Sequence, residues 1–437
     1  MSKYLGLMRR TAVNLLLAMV ALVVALLLAE GVLHIVSGPT APRNPTQFYQ
    51  YDSVLGWSKI PGKDGWFVCP EYTVYKKINS RGLRGPECPY EKPENEYRIL
   101  CLGDSFCEGY AVELKDLFTN LLQDALNQRN DGREYRVING GTAAYSTDQE
   151  LLFYETEGRK YHPDLVVLLF CLNDVWFNTQ DQYPPKPKPL FKLEDGKLVL
   201  TNSPVPRADV FPKDVSSQRH RQQLSAALVK EWLNEHSRIY SFVRSRIKSC
   251  AWLNRAAVWL GLAHGLGESG GPATRGLVVP NENAPAAPLP NVYKVWYKNP
   301  PPEIEYAWQV TELILARLKR SVQENGGRLL VFYIPDKGSV EEDAIEATKR
   351  NYGLKDEFFD LDEPGMRVKS ICEKLSIPCM KPTDVFRSEA RRLAAKGQAL
   401  HFRFDMHWNA NGNALAAKLL LQRIEAEFLP QGKNPPK

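Results

Sequence analysis

Arg98-Ile99-Leu100-Cys101-Leu102-Gly103-Asp104-Ser105-Phe106-Cys107-Glu108-Gly109 is the stretch that decides the fold. Its first half is an apolar run that predicts a buried strand over Arg98 to Leu102, and Gly103 lets the chain turn sharply where that strand ends. Ser105 therefore stands just beyond a strand's carboxyl end, where open α/β sheets place their sites. Downstream the alternation continues, with a helix from about Lys115 to Gln128, a strand at Tyr135 to Ile138, a helix from about Thr147 to Gly158 and a strand at Leu165 to Cys171. Strands alternating with helices imply a doubly wound parallel sheet. The pattern stops at Asp174 and resumes near Glu305, in a long amphipathic helix that runs to about Gln323 and is ended by Asn325-Gly326-Gly327. A strand at Arg328 to Ile334, a helix near Met366 to Leu375, a short strand near Ile377 to Met380 and a last helix from about Ala410 to Phe428 complete it.

Residues 175–304 are thus an insertion in a domain spanning 98–430. Within it, Phe191 to Leu200 carries Asp195-Gly196 between apolar arms, a hairpin signal. Leu224 to Ile247 reads as a basic helical stretch, and Gly261 to Pro290 as a Gly-, Ala- and Pro-rich loop. On the N-terminal side, residues 37–97 begin with a Pro-rich linker and continue in short aromatic segments broken by turns, which predicts a small β-rich stalk or apron. Before it, Thr11 to Ala29 is uncharged and long enough for one membrane-spanning helix, so 11–36 is expected to be an anchor. Lys3, Arg9 and Arg10 precede it, which places residues 1–10 in the cytoplasm and the rest of the chain outside. A cleaved signal peptide ending near Val36-Ser37-Gly38 is the alternative.

The 437 residues are 44% hydrophobic and 24% charged, which excludes collagen, coiled coil, wholesale disorder and a multi-span transporter. The net charge of +6 is spread without a basic stripe, so no nucleic-acid partner is expected. The eight cysteines form no CxxC pair or zinc-spaced cluster, so no metal and no cofactor is expected. Cys69 with Cys88 and Cys372 with Cys379 lie near predicted loops, where both disulfides in an oxidising compartment and free thiols are open.

Three short blocks carry the chemistry. Ser105 ends the first strand; Cys171-Leu172-Asn173-Asp174 ends the third and brings an Asn amide to the same sheet edge. Phe404-Asp405-Met406-His407-Trp408-Asn409 precedes the last helix, and residues two apart in an extended chain face one side, so Asp405 and His407 can act together. An imidazole so placed can take a serine proton, while the carboxylate orients it and stabilises the imidazolium. Singly, each block is an ordinary turn; in this order on one parallel sheet they form a constellation.

On these residues the chain resembles the SGNH hydrolases, or GDSL esterase/lipase superfamily. The match is close for Gly103 to Gly109 and Asp405-x-His407-Trp408, good for Asn173-Asp174, and looser for Asn139 to Thr147. The resemblance implies a three-layer flavodoxin-like fold, Ser105 as nucleophile, His407 as general base and Asp405 as its partner. It implies an oxyanion hole from the Ser105 amide, a second-block amide at Ala144 and the Asn173 side chain. The family's usual glycines are Ala144 and Cys171 here, and Ala144 supplies its N–H without strain only at negative φ. Ile78 to Pro86 also resembles a bacterial membrane-anchored subgroup.

The three blocks and the resemblance together imply an exported serine ester hydrolase or O-acyltransferase acting on acetyl esters of envelope or extracellular carbohydrate, anchored by its one N-terminal helix. A non-catalytic glycan-binding or assembly protein on the same scaffold and a lipase are the other readings; protein partners are not legible. Trp176, Tyr183, Trp232 and Trp296 of the insertion are able to stack on sugars, although core packing is the commoner fate of such residues. Gly267-Glu268-Ser269-Gly270-Gly271 fits the GxSxG pattern, but it lies in a Gly/Pro-rich loop rather than between strand and helix, so Ser269 is rejected as a nucleophile.

Overall fold

The computed structural model describes residues 48–69, 71–208 and 288–429, together with part of 13–32, Ser237 and Tyr240. Five strands form one parallel sheet: β5 (Glu96–Gly103), β6 (Glu134–Asn139), β7 (Leu165–Phe170), β12 (Arg328–Tyr333) and β13 (Cys379–Met380). Their spatial order is β13-β12-β7-β5-β6, so the chain starts in the interior, steps to one edge and then returns to build towards the other. That reversal between β6 and β7 is a topological switch point, and it opens a crevice at the carboxyl ends of β5 and β7. Every strand expected from the sequence for this sheet is present.

Side chains of the central strands are buried on both faces, which explains why their sequences read as continuous apolar runs instead of alternating. Leu100 and Leu102 of β5, Val166 and Leu168 of β7 and Val331 of β12 enter one core, with α3 (Thr147–Thr156), α5 (Pro302–Glu324) and α8 (Glu363–Lys374). Their neighbours Ile99, Cys101, Val167 and Leu330 enter the other. That second core is closed by α2 (Phe118–Asn127), α9 (Thr383–Ala394) and α10 (Ala410–Glu427). The other α-helices among the described residues of 48–429 outside Ser237 and Tyr240 are α1 (Ser105–Glu108), α4 (Leu172–Phe177), α6 (Lys337–Val340) and α7 (Glu342–Tyr352). Each of α1, α4 and α6 is a short turn of helix a few residues past the carboxyl end of a sheet strand, β5, β7 and β12 respectively.

The N-terminal β segment is two antiparallel hairpins, β1 (Tyr49–Asp52) with β2 (Gly56–Lys59) and β3 (Asp64–Val68) with β4 (Thr73–Lys77). It is docked on the sheet domain. Trp57 is fully buried and its Nε1 donates to the Ala143 carbonyl at 3.1 Å, while the Tyr145 hydroxyl donates back to the Trp57 carbonyl at 2.5 Å. The insertion begins with β8 (Gln182–Tyr183) and β9 (Lys186–Pro187), then the expected hairpin, β10 (Leu190–Glu194) and β11 (Lys197–Thr201). Asp195 and Gly196 both take positive φ, +48° and +73°, as the mirror-image turn of a two-residue hairpin requires.

Residues 1–45 and 214–270 form a unit of their own. Its described residues between 13 and 32 are helical, and Ser237 Oγ donates to Glu30 Oε2 at 3.0 Å. Among the described residues no helix is long and apolar enough to cross a membrane. The expected anchor over 11–36 falls only in part on described residues. The expected cytoplasmic segment 1–10, the Pro-rich linker, all of the basic stretch at Leu224 to Ile247 but Ser237 and Tyr240, Cys250 and Ser269 lie outside them. The seven described cysteines, Cys69, Cys88, Cys372 and Cys379 among them, are free thiols.

Candidate active site

Gly103, the last residue of β5, adopts φ +153°, and a β-carbon there would lie 2.7 Å from that of Cys107. Glycine is what lets the chain leave the strand and enter α1 at once. Asp104 caps that helix, its carboxylate accepting from the Phe106 amide at 2.9 Å. Burial pushes the Asp104 carboxyl up to about 6, against the pull of the Phe106 amide and the His407 charge.

Ser105 is the first helical residue, and its Oγ lies 2.7 Å from His407 Nε2. On the far side of the ring, Nδ1 donates to Asp405 Oδ1, which also accepts the His407 main-chain N–H at 2.9 Å. With Nδ1 committed as the donor, Nε2 is the acceptor for the serine hydroxyl. Burial alone raises an acid, but the hydrogen bonds and charge of His407, with the Tyr72 hydroxyl, outweigh it and bring Asp405 down to about 2. The ring is held between aromatic neighbours, its centroid 4.6 Å from that of Phe106 and 4.7 Å from that of Tyr110. Trp408, only 2% exposed, packs on Phe106 and Phe386 and pins the loop, and Asn409 caps α10 by accepting the Asn411 amide at 2.8 Å.

Ser105, His407 and Asn173 line one pocket of about 540 Å³ of empty space, part of it open to solvent; Phe106, Phe177, Tyr183, Val292, Tyr293 and Met406 make its apolar wall. Asn173 lies in α4, and its buried Oδ1 has no hydrogen-bond partner among the described residues. The neighbouring Asp174 turns inward, its Oδ2 accepting the Cys171 amide and the Thr147 hydroxyl.

The second block is more constrained than its sequence suggests. Ala144 takes φ +68°, so the condition of negative φ is not met. The amides around it are all engaged: Gly140 with the Cys101 carbonyl, Gly141 with Asn139 Oδ1, Thr142 with the Gly103 carbonyl, Ala143 with Glu108 Oε2 and Tyr145 with the Thr142 carbonyl. The Ala144 N–H has no such partner among the described residues. A left-handed residue whose N–H is left over from a fully bonded loop is suited to meet a developing negative charge.

Residues without any sequence signal hold this edge. Lys59 Nζ, buried, donates to the Gly141 carbonyl at 2.5 Å and to Thr142 Oγ1 at 2.7 Å. Glu108, fully buried, accepts from Lys76, from the Tyr49 hydroxyl at 2.7 Å and from the Ala143 amide at 2.8 Å. Burial opposes its charge, yet Lys76 and Lys59 win and hold it at about 2. Of the insertion's aromatics, Tyr183 reaches the pocket; Trp296 is buried and stacks on Tyr293 at 4.4 Å, Trp176 is half-buried in the core, and Trp232 lies outside the described residues. Among the described residues no group of His, Cys, Asp and Glu is arranged to hold a metal.

No curated protein matches the chain. Similar solved structures include the acetyl xylan esterase AlAXEase, at 10% identity and TM-score 0.37 over 75% of this chain and 99% of that one. The acetylxylan esterase Axe2 of Geobacillus stearothermophilus is at 12% and 0.36 over 77% and 97%. LAE5, an alpha/beta hydrolase enzyme from the metagenome of Lake Arreo, is at 12% and 0.34 over 76% and 96%. Residues 101–240 match the model of the GDSL-like lipase/acylhydrolase family, and residues 295–437 that of the SGNH hydrolase-like domain of the acetyltransferase AlgX. The chain is therefore an SGNH-like α/β protein around a central parallel sheet, GDSL-like in the part that carries Ser105 and Asn173 and AlgX-like in the part that carries Asp405 and His407.

Proposed function

We propose that the protein is a serine O-acetylesterase or O-acetyltransferase that forms an acyl-enzyme on Ser105 and works on acetylated carbohydrate outside the cytoplasm. The observation that carries this reading is the unbroken hydrogen-bonded chain from Ser105 Oγ through His407 to Asp405, open to an apolar pocket. In the reaction, Ser105 Oγ attacks the ester carbonyl and His407 Nε2 takes its proton. The oxyanion is met by the Ser105 and Ala144 amides and the Asn173 side chain. His407 returns the proton to the leaving alcohol, then activates water or a carbohydrate hydroxyl to release the acetyl group. The similarity of residues 295–437 to an acetyltransferase domain favours transfer of the acetyl group to a second acceptor over its release to water. Location rests on the uncharged run from Thr11 to Ala29 behind Lys3, Arg9 and Arg10.

The test is turnover of a chromogenic acetyl ester by the full-length protein, with and without an oligosaccharide acceptor, alongside fluorophosphonate labelling. Wild type is expected to label at Ser105 and to prefer acetyl over long acyl chains, and Ser105→Ala to lose both labelling and turnover. An unlabelled wild type, or a fully active Ser105→Ala, removes the reading; strong preference for long chains makes the protein a lipase. A reporter active only in the cytoplasm, fused after Lys437, is expected to be silent.

A further inference from the structure

The loop that carries the candidate base has little regular structure of its own. From Phe402 to Met406 no residue lies in a strand or helix, and Phe404 is 55% exposed. Its peptides are instead held by side chains from far away in the sequence. Lys337 Nζ donates to the carbonyls of Phe402 and Arg403, both at 2.7 Å. From the opposite end of the chain comes the turn of the β3–β4 hairpin, closed by the Cys69 amide donating to the Tyr72 carbonyl at 2.9 Å. There Glu71 Oε1 accepts the Arg403 amide, and its Oε2 accepts those of Phe404 and Asp405, all at 2.7 Å. The next residue, Tyr72, packs on Phe402 at 4.6 Å between ring centroids and donates its hydroxyl to Asp405 Oδ2 at 2.6 Å.

These contacts saturate Asp405: one carboxylate oxygen is bound by His407, the other by Tyr72. A carboxylate with a free second oxygen can rotate about its terminal torsion and trade oxygens, and the imidazole follows it. Three successive amides on one Glu71 carboxylate are charge-assisted bonds, and they fix the backbone from which Asp405 projects. We propose that Glu71 and Tyr72 are positioning residues for the reaction: they lock Asp405, and through it His407, in the orientation that faces Ser105. This rests on the serine reading above. The N-terminal β segment is then part of the catalytic apparatus and not a spacer. Burial, with Tyr110 and Asp405 nearby, raises the Tyr72 phenol far above its usual range, so it remains a donor at any working pH.

The consequences differ from those of a merely structural contact. Displacement of a catalytic group by an ångström costs about 10² in rate, so Tyr72→Phe and Glu71→Gln are expected to lower kcat by about 10- to 100-fold with KM for the acetyl ester within about twofold of wild type. In Tyr72→Phe the full Asp405 charge falls on the imidazolium, which holds its proton more tightly, so the acid limb of the kcat/KM profile moves to higher pH. Glu71→Gln removes the carboxylate charge and, whichever way the amide turns, sets its NH2 against at least one of the Arg403, Phe404 and Asp405 N–H groups, and it slows labelling of Ser105 without moving the pocket. Both variants are measured as full-length protein with a melting curve and labelling rate beside wild type. Labelling of wild type at Ser105 with unchanged kcat, acid limb and labelling rate in a folded Tyr72→Phe or Glu71→Gln overturns the positioning role. Absence of wild-type labelling at Ser105 removes the serine reading beneath it, so the two failures are told apart.

Discussion

Ala144 holds a left-handed conformation, φ +68°, that costs a non-glycine residue roughly 1 to 2 kcal/mol, yet the N–H it presents is the same one glycine would present. Ala144→Gly is therefore expected to keep turnover and to raise stability by up to about 1 kcal/mol, part of the relief being lost to the freer unfolded chain. Ala144→Pro removes the N–H and forces negative φ, and is expected to abolish turnover; retention of activity in that variant would exclude the amide from the oxyanion hole. Asn173→Ala is expected to cost about 10² to 10³ in kcat if its amide is one donor among several. Ser105, Asn173, Asp405 and His407 were legible in the sequence because each sits in a short block at a strand end or helix entry; the structure brings Ser105, Asn173 and His407 to one pocket, with Asp405 behind the imidazole. The position of Ala144, where the resembled family has glycine, raised the question of its φ, but nothing in Thr142-Ala143-Ala144-Tyr145 gave the sign. Tyr72, Glu71 and Lys59 were equally silent: Tyr72 meets Asp405 across 333 residues, and no local pattern encodes a contact of that range.

At the scale of elements, legibility tracks burial. The sheet strands bury both faces and announce themselves as apolar runs, and α5 and α10 are long enough to show their period. Helices α7 and α9 are absent from the sequence reading although both are amphipathic, because charge-rich faces surround a narrow buried stripe, Ala344 and Thr348 in one, Phe386, Ala390 and Leu393 in the other. The N-terminal hairpins were visible as β structure but not as docked structure, since the buried Leu55 and Trp57 and the polar side chains that attach them meet partners distant in the sequence. Lys59 is the clearest case, donating to two groups of the loop that presents Ala144. Lys59→Met leaves the buried Gly141 carbonyl without that donor and withdraws a charge from Glu108. It is expected to cost about 1 to 3 kcal/mol of stability, measured by urea unfolding, and to lower kcat by loosening the second block while Ser105 and His407 keep their 2.7 Å contact. A variant with wild-type unfolding midpoint and kcat would mean that the loop holds its shape without the lysine.

Across the whole molecule, the ionisable groups behind the catalytic edge fall into two sets with opposite pH linkage. Glu108 and Asp405 are held near 2, below their unfolded values, so their stabilisation is present above about pH 4 and is lost as pH falls towards 2. Asp104, Asp148, Glu150 and Asp174 are pushed the other way, by burial first and, for Glu150 and Asp174, also by the charge of neighbouring carboxylates. Asp104 reaches about 6, so between about 4 and 6 the folded chain binds more protons than the unfolded one, and stability falls as pH rises through that window. The contribution of these two sets to stability is largest on the mildly acid side and falls below about pH 4. Turnover has a different demand, because only a neutral imidazole accepts the serine proton. Melting temperatures and acetyl-ester turnover, measured on the same samples from about pH 3 to 9, are thus expected to peak at different pH. Asp104→Asn, which keeps a capping oxygen for the Phe106 amide but cannot ionise, is expected to flatten the stability curve between about pH 4 and 6. A melting curve that rises steadily to about pH 8, or one whose slope in that window is unchanged by Asp104→Asn, would show that the buried acids behind Ser105 are not protonated in the folded protein.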